Sequence, residues 1–148
     1  INTRDRSDYK SNFNKKLIRN YEAVLENITS KKEQLIDARS KARFLGIEPE
    51  PRENLISGHI PGSLNLPFQE LILQSNKTIK NSEEIKNIFK DHGITFEKPI
   101  VTTCGSGITA SIIAYCLHLI GFDNFSVYDG SWAEWGSIES SPINTRTS

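Results

Sequence analysis

Residues 101–109, Val-Thr-Thr-Cys-Gly-Ser-Gly-Ile-Thr, constrain the fold of this chain more than any other stretch. A β-branched run, which favours a buried strand, stops at Cys104 and is followed by a turn that contains Gly105 and Gly107. The two glycines let the backbone bend so that several N–H groups converge on one point. Because an apolar segment over 108–120 follows directly, we predict a strand, a loop and a helix, with the Cys104 sulfur inside the loop.

A cysteine in this position has the surroundings of a nucleophile. Unpaired amides and the dipole at a helix N-terminus favour an anion, and they lower a thiol pKa from about 8.5 to roughly 3.5–7.5. The alternative is a structural cysteine at a strand end, but the Gly-x-Gly turn between strand and helix favours an active-site loop. Cys116 falls several turns further along the predicted helix, where we expect a small core residue.

The rest of the chain alternates between helical and strand patterns. The pattern predicts helices over 17–30, from 81 to Gly93 with a capping box, and over 132–136, and strands over 34–37, 100–103 and 124–128. Alternation with short connections predicts an α/β domain with a mainly parallel central sheet flanked by helices. In such a domain the loops gather at the carboxyl ends of the strands, where a site would form.

Charge and cysteine content exclude several classes of function. The 18 basic residues equal the 18 acidic ones, so no bulk field draws the chain to nucleic acid or to an anionic membrane. Two cysteines are too few for a disulfide scaffold and fit a reducing compartment. The longest apolar run, 111–120, is too short to span a bilayer. The chain starts at Ile1 and contains no methionine, so we expect a piece of a longer protein.

Three polar positions near the strand ends have structural interpretations. Asp37 and Arg39 follow the short apolar run that begins at 34, and we expect them to pair with each other. His59 lies within a Gly-Pro-Gly turn and has no acidic neighbour in sequence, which favours a structural histidine over a base.

Two arginines in the long loop over 40–58 have two interpretations that composition alone leaves equal. Arg43 and Arg52 each offer a planar fork that suits a carboxylate. The neighbouring Glu48 and Glu50 would instead pair with the arginines at a solvated surface.

Several spaced motifs together resemble the rhodanese domain, and more closely the C-terminal, catalytic domain of the 3-mercaptopyruvate sulfurtransferases. The motifs that carry the resemblance are Asp37-Ala-Arg39, Gly58-His-Ile-Pro-Gly62, Cys104-Gly-Ser-Gly-Ile-Thr109 and Tyr128-Asp-Gly-Ser-Trp132. The resemblance implies a rhodanese-like three-layer domain over 13–148. It also implies that 1–12 is a linker or frayed N-terminal segment, cut from an upstream domain.

The resemblance implies a role for each position that matches a family motif. Cys104 is the persulfide-forming cysteine, and Ser106 is a catalytic serine that assists proton handling. Arg43 and Arg52 are the pair that binds the substrate carboxylate. The remaining active-site loop residues, whose amides surround the sulfur, are Gly105, Gly107, Ile108 and Thr109.

The implied reaction moves sulfur from 3-mercaptopyruvate through a Cys104 persulfide to a thiol acceptor such as thioredoxin, or to cyanide. It needs no metal and no organic cofactor. An upstream tandem rhodanese domain is the implied partner in the intact protein, and we expect weak turnover without it. The expected location is intracellular, in the cytoplasm, or in the mitochondrion of a eukaryote.

Three other functions are weighed against this one. Thiosulfate sulfurtransferases of this fold usually carry cationic side chains in the loop, whereas Gly105 and Ser106 are neutral, so thiosulfate is the alternative donor. Cysteine-dependent phosphatases need Cys-x5-Arg, and the sixth residue after Cys104 is Ala110, which excludes that loop. A non-catalytic binding or redox-sensing module would normally lack Cys104.

Overall fold

The structure is a computed structural model, and it describes residue 8 and residues 10–146. Five strands form one sheet in the order β1-β5-β4-β2-β3, and every pair of neighbouring strands is parallel. The strands are β1 (Ile18–Arg19), β2 (Gln34–Asp37), β3 (Leu64–Asn65), β4 (Ile100–Thr103) and β5 (Phe125–Tyr128). The helices are α1 (Tyr21–Ser30), α2 (Lys41–Phe44), α3 (Ser82–Asp91), α4 (Ile108–Leu119) and α5 (Ser131–Trp135), with 3-10 turns at Lys15–Leu17 and Phe68–Leu71.

The sheet separates two hydrophobic cores, which confirms the predicted α/β arrangement in three layers. One core packs α3 and α4 on the sheet through Ile36, Phe89, Ile113 and Leu117. The other core, on the opposite face, packs α1 and α5 through Val24, Leu35, Tyr128, Trp132 and Trp135. All four residues of β4 are buried, because helices cover both faces of this central strand. The carboxyl end of β4 therefore delivers Cys104 to a fixed place in the fold.

The prediction of a helix from residue 17 is wrong at its start. Leu17 belongs to a 3-10 turn, and Ile18 opens the edge strand β1, which pairs with β5. Asn20 is extended and its side chain accepts a hydrogen bond from the Ala23 amide at 3.2 Å, so it caps α1 and ends the strand. The apolar residues keep a helical spacing on both sides of Asn20, so the spacing does not reveal where the helix begins.

The predicted helix over 108–120 is present as α4, and it is buried on one side only although its sequence is apolar over most of its surface. Its buried face consists of Ala110, Ile113, Ala114, Cys116 and Leu117. Ile108, Tyr115 and Leu119 are 74%, 53% and 41% exposed, because α4 is an outer layer with the sheet on one side. Cys116 is fully buried, as predicted, and burial raises the pKa of its thiol to about 11.

Two further local predictions are confirmed. Asn81 and Glu84 form the capping box of α3. The His59 ring stacks on Phe44 with 3.8 Å between centroids, and His59 Nδ1 lies 2.7 Å from the Phe44 carbonyl oxygen, so this histidine is structural.

No helix in the described part of the chain is long and apolar enough to cross a membrane. The linker proposed over 1–12 falls mostly outside the described residues and stays a prediction.

Candidate active site

The backbone around Cys104 is fixed by the start of α5. The Cys104 amide donates to Ser131 Oγ at 3.2 Å, and Ser131 Oγ donates to the Tyr128 carbonyl oxygen at 2.8 Å. The Trp132 amide donates to the Cys104 carbonyl oxygen at 2.9 Å. Ser131 is fully buried with a φ of 50°, an uncommon conformation for a residue other than glycine. No local sequence pattern marks Ser131 as the support of the loop.

Gly107 allows the turn from the loop into α4. Its φ is 82°, and a Cβ at this position would lie 3.0 Å from the Asp129 carbonyl oxygen. Glycine is therefore needed here for both the left-handed backbone and the close approach of the neighbouring loop. The turn brings the first amides of α4 toward the Cys104 sulfur.

The Cys104 sulfur lies in a shell of hydrogen-bond donors. Its side chain is buried, and burial alone would raise the pKa of the thiol. Hydrogen bonds from the Thr109 hydroxyl and from the amides of Ser106, Ala110 and Thr109 outweigh burial and lower the pKa. The Ser106 amide lies 3.4 Å from Sγ. The loop therefore stabilises a thiolate, the nucleophilic form of cysteine.

We expect Cys104 to react with iodoacetamide with a pH midpoint below that of an ordinary thiol, because its lowered pKa extends the thiolate to lower pH. Replacing Thr109 with valine removes one donor to the thiolate and should move the midpoint upward. The measurement is the alkylation rate from pH 5 to 10, followed by mass spectrometry. A midpoint that does not move in Thr109→Val would show that this hydroxyl has no influence on the sulfur.

A cleft of about 290 Å³ opens beside Cys104. It brings together every site residue that the sequence predicted except Gly107, which shapes the loop behind it. The lining residues are Arg43, Glu50, Pro51, Arg52, Leu55, Cys104, Gly105, Ser106, Ile108 and Thr109. A larger cavity of about 360 Å³ lies at the amino ends of the strands, but no cysteine lines it, so the smaller cleft is the candidate site.

The two arginines of the cleft differ in their surroundings. Arg43 pairs with Glu50, with Nε at 3.2 Å from Oε1 and Nη2 bonded to Oε2. Arg52 is exposed and has no hydrogen-bond partner among the described residues. The sequence left open whether these arginines pair with the glutamates of their loop, and in the structure Arg43 does so. The positive charge of Arg52 has no such compensation from the described residues.

Glu50 belongs to a buried chain of alternating charges. Asp37 and Arg39 pair directly, as predicted, with 2.6 Å between Asp37 Oδ2 and Arg39 Nη2. Arg39 Nη1 donates to Glu50 Oε1 at 2.7 Å, and the Arg39 guanidinium lies 4.2 Å from the centre of the Trp132 ring. The network connects the end of β2 to the cleft. The sequence predicts a pairing of Glu50 only with the arginines of its own loop, and the contact with Arg39 has no local sequence signal.

The arrangement provides an anion-stabilising loop, an activated thiol and cationic groups across a small cleft. No cluster of three or more metal-ligating side chains occurs within the described residues. The chemistry that these groups support is nucleophilic attack by the thiolate on a small anionic substrate.

Comparison with known families matches residues 20–138 to the Rhodanese-like domain, and this chain belongs to that family. Among curated proteins it is 45% identical over 91% of its length to thiosulfate/3-mercaptopyruvate sulfurtransferase 2 of Arabidopsis thaliana. It is 40% identical over 87% of its length to human 3-mercaptopyruvate sulfurtransferase, and 42% identical over 95% to rat thiosulfate sulfurtransferase. The chain spans 39%, 43% and 46% of these three relatives.

Solved structures agree with the fold. The Tum1 protein from Saccharomyces cerevisiae superposes with a TM-score of 0.79 at 36% identity, over 89% of this chain and 48% of that one. A sulfur transferase subunit of yeast mitochondrial complex I superposes with a TM-score of 0.84 at 34% identity, over 97% of this chain and 52% of that one. The relatives are named for sulfur transfer from two different donors, thiosulfate and 3-mercaptopyruvate. Membership of the family therefore indicates the class of reaction and does not identify the sulfur donor.

Proposed function

We propose that this chain is a sulfurtransferase that takes sulfur from 3-mercaptopyruvate and carries it as a persulfide on Cys104. The observation that carries the proposal is the position of the Cys104 sulfur, stabilised as a thiolate and open to a cleft with two arginines. The similarity to relatives that are named for this activity supports it.

The proposed reaction needs no oxidant or reductant. Arg43 and Arg52 bind the donor carboxylate and direct the donor sulfur toward Cys104. The thiolate attacks that sulfur, an S–S bond forms, and the C–S bond breaks with its electron pair going to the adjacent carbonyl as an enolate. The donor S–H proton stays on the outer sulfur of the persulfide. Protonation of the enolate, which we assign to solvent with the help of the Ser106 hydroxyl, releases pyruvate.

The charge of the cleft favours mercaptopyruvate over thiosulfate. Thiosulfate is a dianion, and the loop beside the sulfur offers only the neutral Gly105 and Ser106. Glu50 already compensates Arg43, so Arg52 is the remaining positive group of the cleft wall. A single carboxylate matches a single uncompensated cation. Thiosulfate is the second candidate donor, because the rat relative is named for it.

Mass spectrometry of the reduced protein tests the proposal. Incubation with 3-mercaptopyruvate should add one sulfur atom, about 32 Da, to the peptide that contains Cys104. Thiosulfate at the same concentration should add sulfur more slowly. Addition of cyanide or reduced thioredoxin should then return the original mass. Absence of added sulfur on a folded sample would refute the enzyme, and faster loading from thiosulfate would reassign the donor.

The proposal includes an upstream rhodanese domain in the intact protein and an intracellular site of action. The relatives are longer than this chain, and the two free cysteines suit a reducing compartment. Joining an upstream rhodanese domain to this chain should raise the turnover rate. Equal rates with and without that domain would refute this part of the proposal.

A further inference from the structure

We infer that Glu50 is a positioning residue, which holds the Arg43 guanidinium against the active-site loop so that Arg43 orients the sulfur donor. This inference rests on the proposed function and assigns different tasks to the two arginines. Arg43 acts as an oriented hydrogen-bond donor whose charge is compensated. Arg52 supplies the uncompensated positive charge.

Glu50 binds one edge of the Arg43 guanidinium with both of its carboxylate oxygens. Glu50 Oε1 accepts from Arg43 Nε at 3.2 Å, and Oε2 accepts from Arg43 Nη2. The Glu50 side chain is 2% exposed, whereas that of Arg43 is 22% exposed, so the carboxylate lies behind the arginine and away from solvent. Arg43 Nη1 has no acceptor among the described residues, and it is the edge left for a substrate.

Glu50 is itself held in place from behind. Arg39 Nη1 donates to Glu50 Oε1 at 2.7 Å, and both Asp37 oxygens accept from the same guanidinium. Arg39 Nη2 also donates to the Gly58 carbonyl oxygen at 2.8 Å. Because Arg39 is anchored at the end of β2 and by the loop at Gly58, Glu50 presents a fixed carboxylate to Arg43.

The active-site loop limits Arg43 from the other side. A Cβ at position 105 would lie 3.0 Å from Arg43 Nη2, so the guanidinium packs directly on Gly105. Arg43 is therefore fixed between the Glu50 carboxylate and the backbone of the residue after Cys104. A donor whose carboxylate binds Arg43 Nη1 has its sulfur aligned relative to the Cys104 thiolate.

A purely electrostatic role of Glu50 and a positioning role predict opposite effects of its replacement on sulfur transfer. If Glu50 acted only through its negative charge, Glu50→Gln would strengthen binding of an anionic donor and would leave the chemical step intact. If Glu50 positions Arg43, the same variant bonds the two arginines poorly, and the rate at saturating donor falls. The saturating rate of Cys104 persulfide formation therefore separates the two roles from each other.

The experiment measures single-turnover persulfide formation in Glu50→Gln by mass spectrometry over a range of 3-mercaptopyruvate concentrations. We expect the saturating rate to fall about 10- to 100-fold. The matched control is Glu48→Gln, an exposed glutamate of the same loop, which should stay within about twofold of the unsubstituted chain. Iodoacetamide alkylation of Cys104 should be equally fast in all three proteins, showing that the nucleophile is intact.

A double-mutant cycle with Arg43→Gln tests whether Glu50 acts through Arg43. In the Arg43→Gln background, Glu50→Gln should reduce the saturating rate no further, since there is no guanidinium left to position. An unchanged rate in Glu50→Gln, or an equal loss in both backgrounds, would overturn the inference.

Gly105→Ala displaces the same guanidinium from the opposite side and replaces Glu50→Gln in the cycle if that variant does not fold. It should reduce the rate with Arg43 present and have little effect without it; an equal loss in both backgrounds would again overturn the inference. Failure of the proposed function is distinct, because the unsubstituted chain would then acquire no sulfur.

Discussion

Replacing Cys104 with serine should abolish sulfur transfer, with a loss of at least about 10³-fold in turnover. A serine hydroxyl is not ionised near neutral pH and forms no stable bond to a donated sulfur, so the persulfide cannot form. The hydrogen-bond donors that lower the pKa of the Cys104 thiol would then face a neutral oxygen. The measurement is thiocyanate production from 3-mercaptopyruvate and cyanide under steady-state conditions.

Cys116→Ala is the control for this substitution. Cys116 lies on the buried face of α4, and burial raises the pKa of its thiol, so we expect it to take no part in the chemistry. Its replacement should change the turnover rate by less than about twofold while lowering stability slightly. Turnover by Cys104→Ser comparable with that of the Cys116→Ala control would mean that another group carries the sulfur.

Replacing Arg39 with alanine should lower the free energy of unfolding by about 3–5 kcal/mol. The Arg39 and Asp37 side chains are each 1% exposed, and Glu50 is 2% exposed. Removal of the arginine leaves two buried carboxylates without their shared cation and removes the contact with the Trp132 ring. Urea denaturation followed by circular dichroism measures the change.

Arg19→Ala provides the matched control for the loss of an ion pair. Arg19 pairs with Glu33 at 2.6 Å, but the two side chains are 27% and 16% exposed, and solvent weakens such a pair. The expected cost is about 0–1 kcal/mol. Similar values for the two variants would show that the buried network contributes no more to stability than a partly exposed pair.

Local patterns predicted the parts of the site that depend on local geometry. The β-branched run before Cys104 and the glycines after it determine a strand, a turn and a helix N-terminus without help from distant residues. The pairing of Asp37 with Arg39 was equally accessible, because one residue separates them at a strand end. The gathering of loops at the carboxyl ends of parallel strands and the conformational freedom of glycine are sufficient to predict these elements of the site.

Contacts between distant segments could not be predicted in the same way. The pairing of Arg39 with Glu50 depends on how the loop after α2 folds back over β2, and no periodicity encodes that path. The support of Cys104 by Ser131 joins two loops that meet only because β4 and β5 are neighbours in the sheet. Strand β1 has two residues and lacks a pattern of its own, so its position is determined by the edge of β5.

The contact between Arg43 and Gly105 means that two positions far apart in the chain compete for one volume. A Cβ at position 105 would lie 3.0 Å from Arg43 Nη2, so even an alanine there requires the end of the arginine side chain to move by a few tenths of an ångström. The residue at position 105 therefore affects where the guanidinium from α2 lies in the cleft. Redesign of the donor preference would have to consider these two positions together.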